Sequence, residues 1–548
     1  MKYLIHEVGD PFKNFGRSRL WGDNLQQSLM DRISPSSRSK LTALRTVDEE
    51  HLRRIGAFDF PDPALSGELI EAFFNQGYPF FPIFHRTEFF SAYGRNRISP
   101  LVLNALFCVS AIHCSEDLIR RLDYDSRYLA CSTFYHRAKA LHDNDYETDG
   151  VAIIQACILL MNWWQGPMEQ KDTWYWLGVG SNLAQSLGMH RAKSYRILGD
   201  ERQKLWRRIW WVLFINDIHH AAVFGRPPHI HSQYTDVNPL TPSDMTASDF
   251  THANAEESNI FLVEYCRLAT LVDRCLLEKY SAASSPQMKD KAWLALTTFS
   301  STLLNNGIDS ASSLTTERGF YPAVLSLIHL DYSVVVGRMF SSDIHVPATS
   351  GVQSYFKSAG SICRILEDLL SSPSALVARL PYVAFPAIFC SILIHIIYLR
   401  KEPGSIRLVA ENRARLAMVV LDQLQDRWPL VVWTRYLLDT LLKNTEPPAV
   451  SSPQYATLNQ YRRSSERANR PWTEDDIPGP ASLSPDPQHV VSSSRSTDPT
   501  PDLHNAHSSP RDHLGFNTGM HGAFSPIPFM LPWNSLLEDA TDFDQWLL

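Results

Sequence analysis

The side chains best suited to chemistry crowd into one short stretch. Asp217, His219, His220, His229, His231 and Asp236 form the densest group of metal-ligating residues in the chain. A hydrolytic metal centre needs such ligands to converge while one coordination position stays open. On a helix, His220 lies close to Asp217 at a three-residue step, whereas His219 turns away. His229 and His231 come only after a Pro227-Pro228 break, and the spacing matches no zincin pattern. Gly178, Gly180 and Ser181 lack the third glycine of a dinucleotide fingerprint and the flanking glycines of a nucleophile elbow, so they predict close helix packing instead. His85 has no neighbouring residue to make it a base or a ligand. No phosphate-binding loop, kinase signature or convincing Ser-His-Asp set is recognisable. The expectation is therefore no catalytic residue, no bound metal or cofactor, and no enzyme.

The element that must position these residues is a strongly apolar helix within residues 204–230. Trp206, Ile209, Trp210, Leu213, Phe214 and Ile218 recur at three- and four-residue steps, which places them on one face. Arg207, Arg208 and Asp217 interrupt that run. Charges so deep in an apolar element need partners, and Arg207 or Arg208 is expected to pair with Asp217 or with another helix. Gly225 ends the helix in a left-handed conformation, and Pro227 and Pro228 forbid its continuation.

Similar apolar periodicity predicts helices over 65–74, 101–115, 128–141, 151–164, 173–190, 260–277, 293–304, 321–340 and 355–370, with two more in 408–442 broken near Trp428 and Pro429. Residues 33–40 are rich in Ser and Pro and read as a loop, and 234–257 as a longer one. Residues 380–399 carry no Asp, Glu, Lys or Arg and approach the roughly twenty residues of a membrane span. Pro381 and Pro386 break the first third, so a buried core helix is predicted and no membrane. No alternating run is long enough to argue a sheet. The fold class expected is all-α.

The bulk numbers agree with a folded core and little nucleic-acid affinity of the whole chain. There are 548 residues, 44% of them hydrophobic and 14 of them Trp, with a net charge of −7. An acidic chain is a poor candidate for binding held by counterion release. The eight cysteines are scattered singly through apolar segments, with no zinc-finger or zinc-cluster spacing. They read as reduced core residues.

Two motifs carry a resemblance. Arg207-Arg208-x-Trp210-Trp211, Asp217, then Gly225-Arg226-Pro227-Pro228, resembles the regulatory domain of fungal transcription factors, the middle homology region of zinc binuclear cluster factors. The run Phe81, Pro82, Ile83, Phe84, His85, Arg86 and Phe89 resembles the entry of the same domain, as does the ending of residues 187–191, Leu-Gly-Met-His-Arg. The resemblance covers at least 64–240. It implies a nuclear regulator, of a metabolic or biosynthetic gene set, whose helical domain modulates activity and senses a small-molecule effector or a partner. The family's six-cysteine cluster, which holds two zinc ions, is not recognisable in these residues. Zinc, and direct contact with DNA, are expected only if such a cluster precedes this sequence. Otherwise the chain would act through a DNA-bound partner or as a homodimer. The alternative is a helical small-molecule-binding protein or enzyme with no transcriptional role.

The expected organisation is a polar lead segment (1–60), the all-α regulatory domain (61–445), a Pro/Ser-rich disordered linker (446–515) and an acidic-aromatic tail (516–548). In the tail, Phe529, Trp533, Leu537, Phe543 and Trp546 alternate with acidic residues. Such a segment either folds in a partner's groove, which here implies the transcription machinery or a coactivator, or docks back onto its own helical domain.

Overall fold

Short polar residues just ahead of apolar runs fix where the helices begin. A computed structural model describes residues 32, 34–166, 169–245, 255–299, 319–340, 348–373 and 375–443. The linker and tail, with Phe529, Trp533, Leu537, Phe543 and Trp546, lie outside the described residues. Ser34 accepts a hydrogen bond from the Ser37 amide and caps α1 (Pro35–Arg54), with Pro35 in its first turn. Residues 35–40 are thus helical, not part of the loop expected there. The Ser-Pro pair that marks a turn also marks a helix start, because proline's missing N–H is not needed there. Nor is the lead segment polar throughout: Leu52 and Ala57 are buried, and Asn104 Nδ2 donates to the Ala57 carbonyl at 2.9 Å.

The remaining helices are α2 (Pro63–Ala72), α3 (Arg86–Tyr93), α4 (Pro100–His113), α5 (Glu116–Arg121), α6 (Arg127–Asp143), α7 (Gly150–Leu160), α8 (Thr173–Leu187), α9 (Ala192–Tyr195), α10 (Asp200–Phe224), α11 (Ala255–Tyr280), α12 (Pro286–Thr297), α13 (Phe320–Phe340), α14 (Ala348–Ser371), α15 (Phe385–Lys401), α16 (Ser405–Leu424) and α17 (Pro429–Lys443). The described residues contain no strand. The helix expected at 293–304 starts earlier because Ser285 caps it and Pro286 opens it.

Packing follows chain order. Helix α4 lies on α6 and α7, α7 on α8, and α8 on α10; α10 then packs on α11 and α13, followed by α14, α15 and α16 in turn. One continuous apolar core runs from Leu52 to Leu441. Every residue from Leu101 to His113 is buried, the mark of a helix surrounded on all sides. Each large apolar side chain so buried contributes about 2 kcal/mol. Helix α13 and residues Tyr382–Lys401 are long and apolar enough to cross a membrane by length and composition. Both lie mostly buried among the other helices, and residues 380–399 end as the core helix α15.

Candidate functional site

Helix α10 carries Arg207, Arg208 and Asp217 of the second motif, and each finds a different partner. Arg208 is completely buried. Its Nη1 donates to Tyr78 Oη at 3.0 Å, and its Nη2 to the Phe84 carbonyl at 3.2 Å and to His85 Nδ1 at 3.1 Å. Tyr78 Oη itself donates to the Phe84 carbonyl at 2.7 Å. Arginine can only donate, so His85 accepts at Nδ1 and carries its proton on Nε2. That Nε2–H donates to the Glu201 carbonyl in the first turn of α10, at 2.9 Å. Arg208 thus supplies hydrogen bonds to the irregular backbone of residues 78–85, where the chain has no helical partners of its own. Phe81 and Pro82 pack in the core beside it, and Gln155 Nε2 donates to the Ile83 carbonyl at 2.6 Å. Arg86 pairs with Glu71 at 2.7 Å and lies over the Phe74 and Phe90 rings.

Neither Arg207 nor Arg208 pairs with Asp217, which corrects one of the two pairings expected from sequence. Arg207 forms an ion pair with the buried Asp244 and lies over the Tyr195 ring. Asp244 also accepts from the Thr241 amide at 2.8 Å, which closes the short turn Pro242–Asp244. Asp217 is fully buried and turns to the loop that follows the helix instead. Its Oδ1 accepts from His229 Nδ1 and its Oδ2 from the Ile230 amide, both at 2.7 Å. Burial raises the Asp217 pKa, and the bond from His229 opposes that rise.

The loop is held by a repeated device. Two residues on, His231 Nδ1 meets Asp273 Oδ1 at 3.2 Å and the Ser232 amide donates to Asp273 Oδ2 at 2.9 Å. Each buried aspartate takes one imidazole and the next residue's N–H. Asp217 belongs to α10 and Asp273 to α11, so residues 229–232 staple the two helices together. The chain reaches this position because Gly225 adopts φ 63°, a left-handed conformation that glycine takes without cost. Arg226 then lies over the Trp174 ring and 3.6 Å from Asp172. Trp174 packs against His229 with ring centroids 4.0 Å apart and the planes tilted by 38°. A Cβ at Gly178 would sit 3.0 Å from His229 Nε2, so the missing side chain admits the imidazole. Gly180 gives Leu213 the same closeness, at 3.1 Å. Pro227 is exposed and Pro228 half-buried. Trp210 is buried, and Trp211 Nε1 donates to the Asn238 carbonyl at 2.8 Å.

The six chemistry-bearing residues therefore scatter. His219 Nδ1 meets Tyr332 Oη at 2.9 Å, and burial pulls its pKa down to about 3. His220 is also buried, and desolvation lowers its pKa well below the usual value. Asp236 pairs with Arg191 at 3.2 Å. No group of three His, Cys, Asp or Glu converges among the described residues. The eight cysteines are free and buried, and they do not fit a zinc cluster. Desolvation pushes the Cys157 thiol up to about 12.

Sequence reasoning missed Asp244, Asp273 and Trp174 as partners, and it missed a polar group within the core. Asn216, Tyr265, Asp331, Tyr332 and Tyr382 are contributed by α10, α11, α13 and the turn Tyr382–Ala384. Tyr382 Oη donates to Asn216 Oδ1 at 2.6 Å. Asp331 is 1% exposed with both carboxyl oxygens unpartnered, and burial raises its pKa to about 7. An aspartate inside an apolar helix such as α13 is the one signal that pointed here.

The profile of the fungal specific transcription factor domain matches residues 70–316, a range that holds both motifs and both staples. Cutinase transcription factor 1 alpha of Fusarium vanettenii is 28% identical over 431 residues, covering 74% of this chain and 46% of that protein. The acetamidase regulatory protein of Aspergillus fumigatus is 29% identical over 246 residues, covering 43% of this chain and 30% of that protein. The fusaric acid cluster transcription factor FUB12 of Fusarium oxysporum f. sp. lycopersici is 26% identical over 259 residues, covering 46% and 39%. The chain spans about half the length of the curated cutinase factors it matches. Over residues 70–316 the chain is thus similar to the fungal specific transcription factor domain.

Proposed function

We propose that the chain is a fungal transcriptional regulator of a metabolic or biosynthetic gene set, acting in the nucleus. The observation that carries this reading is the family match over residues 70–316, together with relatives that are regulators and not enzymes. In this reading the helical domain modulates activity through a small-molecule effector or a partner protein. The staples at Asp217 and Asp273, and the Arg208 network, keep the helices in one arrangement. The acidic-aromatic tail, through Phe529, Trp533, Leu537, Phe543 and Trp546, contacts the transcription machinery or a coactivator. Contact with DNA comes through a six-cysteine zinc cluster outside these 548 residues, through a DNA-bound partner, or through a homodimer. The half-length coverage of the cutinase factors leaves room for such a segment.

The test fuses the full chain to a heterologous DNA-binding domain above a reporter and follows a fluorescent fusion in the fungal cell. The reading expects reporter output to change when the five tail residues are replaced by alanine, and fluorescence in the nucleus. A reporter indifferent to the fusion, with fluorescence excluded from nuclei, refutes it.

A further inference from the structure

We infer that the aromatic surface which α6 and α17 present around residues 163–166 is a docking surface for this chain's own C-terminal segment, residues 529–548. The regulatory consequence rests on the tail part of the reading above; the contact itself does not. On α17, Val432, Trp433 and Tyr436 share one outward face at one- and four-residue steps, and they are 49%, 48% and 73% exposed. The opposite face of the same helix buries Val431, Leu438 and Leu441. At the start of α6, Tyr128 and Leu129 are exposed as well. Residues 163–166 touch both helices. The Trp163 ring centroid lies 5.7 Å from that of Tyr128, and Gln165 Nε2 donates to Ser132 Oγ at 2.8 Å. A Cβ at Gly166 would sit 3.6 Å from Trp433 Nε1.

Single exposed apolar residues are ordinary, but a group of them on one helix face marks a contact surface. Tryptophan and tyrosine are the residues that carry most of the energy of such contacts. The tail has the complementary pattern. Trp533, Leu536, Ala540, Phe543 and Leu547 recur at steps of three and four, which places them on one face when the segment is helical. Glu538, Asp539 and Asp542 fall outside that stripe. An apolar stripe of this kind is what lies along a surface built from two helices.

Charge and tether select the tail over a second copy. Residues 400–443, which include α16 and α17, carry eight Arg and Lys against five Asp and Glu, whereas residues 516–548 carry four acidic side chains and no Arg or Lys. A second copy would set the same positive excess against itself, and the tail brings the opposite sign. The chain leaves α17 at Lys443, and 85 residues separate that point from Phe529. A connection of that length averages about 50 Å end to end, so the tail reaches α17 without constraint. Docking covers Trp533, Leu537 and Phe543, which the reading above assigns to the coactivator. The two contacts therefore exclude each other, and the domain restrains its own tail.

The experiment places the photo-cross-linking residue p-benzoylphenylalanine at position 436 of the full chain, and at position 234 in a control. Tyr234 is as exposed as Tyr436 but lies in the loop after α10. Labelled and unlabelled chains are mixed, so that links within one chain are told from links between two. Position 436 is expected to link to residues 529–548 of the same chain, and position 234 is not. Replacing Phe529, Trp533, Leu537, Phe543 and Trp546 by alanine should remove the link. No link from 436, equal links from both positions, or links only between chains overturns the inference. In the reporter fusion, Trp433→Ser with Tyr436→Ser should raise output several-fold by freeing the tail. Unchanged output from that variant overturns the restraint. The link is read on purified protein, so its absence leaves the reporter test of function standing, and a silent reporter leaves the link standing.

Discussion

Asp331→Asn should stabilise this protein, and increasingly so as the pH rises. Asp331 is buried in α13 with neither carboxyl oxygen partnered, and its pKa is raised from 3.8 to about 7. The folded chain therefore holds a proton that the unfolded chain releases between those two values. Stability from this group falls as pH rises through that window and levels off above about pH 7. At 1.36 kcal/mol per unit, ionisation costs the fold about 2 kcal/mol at pH 5 and about 4 kcal/mol at pH 8. Asparagine has no such titration, and whatever its amide costs is the same at both pH values. The gap in unfolding free energy between variant and wild type should then widen by about 2–3 kcal/mol from pH 5 to pH 8. Urea unfolding of both proteins at pH 5, 6, 7 and 8 measures it, because every other titrating group is common to the pair. A gap that stays flat across the series refutes the claim that Asp331 is buried without a partner.

Further outcomes follow from the same packing. Arg208→Ala removes the donors to Tyr78, Phe84 and His85, and should cost about 3 kcal/mol or more in urea unfolding. Gly225→Ala places a Cβ at φ 63° and should cost about 1 kcal/mol, with the melting temperature lowered accordingly. Gly178→Val pushes His229 off α8, so the Ile230 and Ser232 amides should exchange with deuterium faster while those of α4 do not change.

Much of the framework is legible in the sequence because apolar periodicity and stop signals act locally. The apolar runs at 101–115, 151–164 and 173–190 become α4, α7 and α8, and Gly225 with its two prolines ends α10 as read. What eludes sequence is long-range pairing. Nothing near Asp217 singles out His229 over the arginines nine and ten residues before it, since the choice depends on Gly225 turning the chain back. Nothing in α11 marks Asp273 as the second anchor. At residues 33–40 the local signal itself is ambiguous, because Ser-Pro opens turns and helices alike. The polar group within the core was least legible, since Asn216, Tyr265 and Tyr382 come from three distant segments.

The central claim is that the motif charges brace a regulatory domain and perform no chemical step. Asp217→Ala tests it most directly, with melting of the purified full chain measured beside reporter output from the same variant. The account predicts a melting temperature lowered by several degrees, reporter output lost in step with it, and faster deuterium exchange at residues 229–232. A variant that melts like wild type yet has lost all output would contradict it.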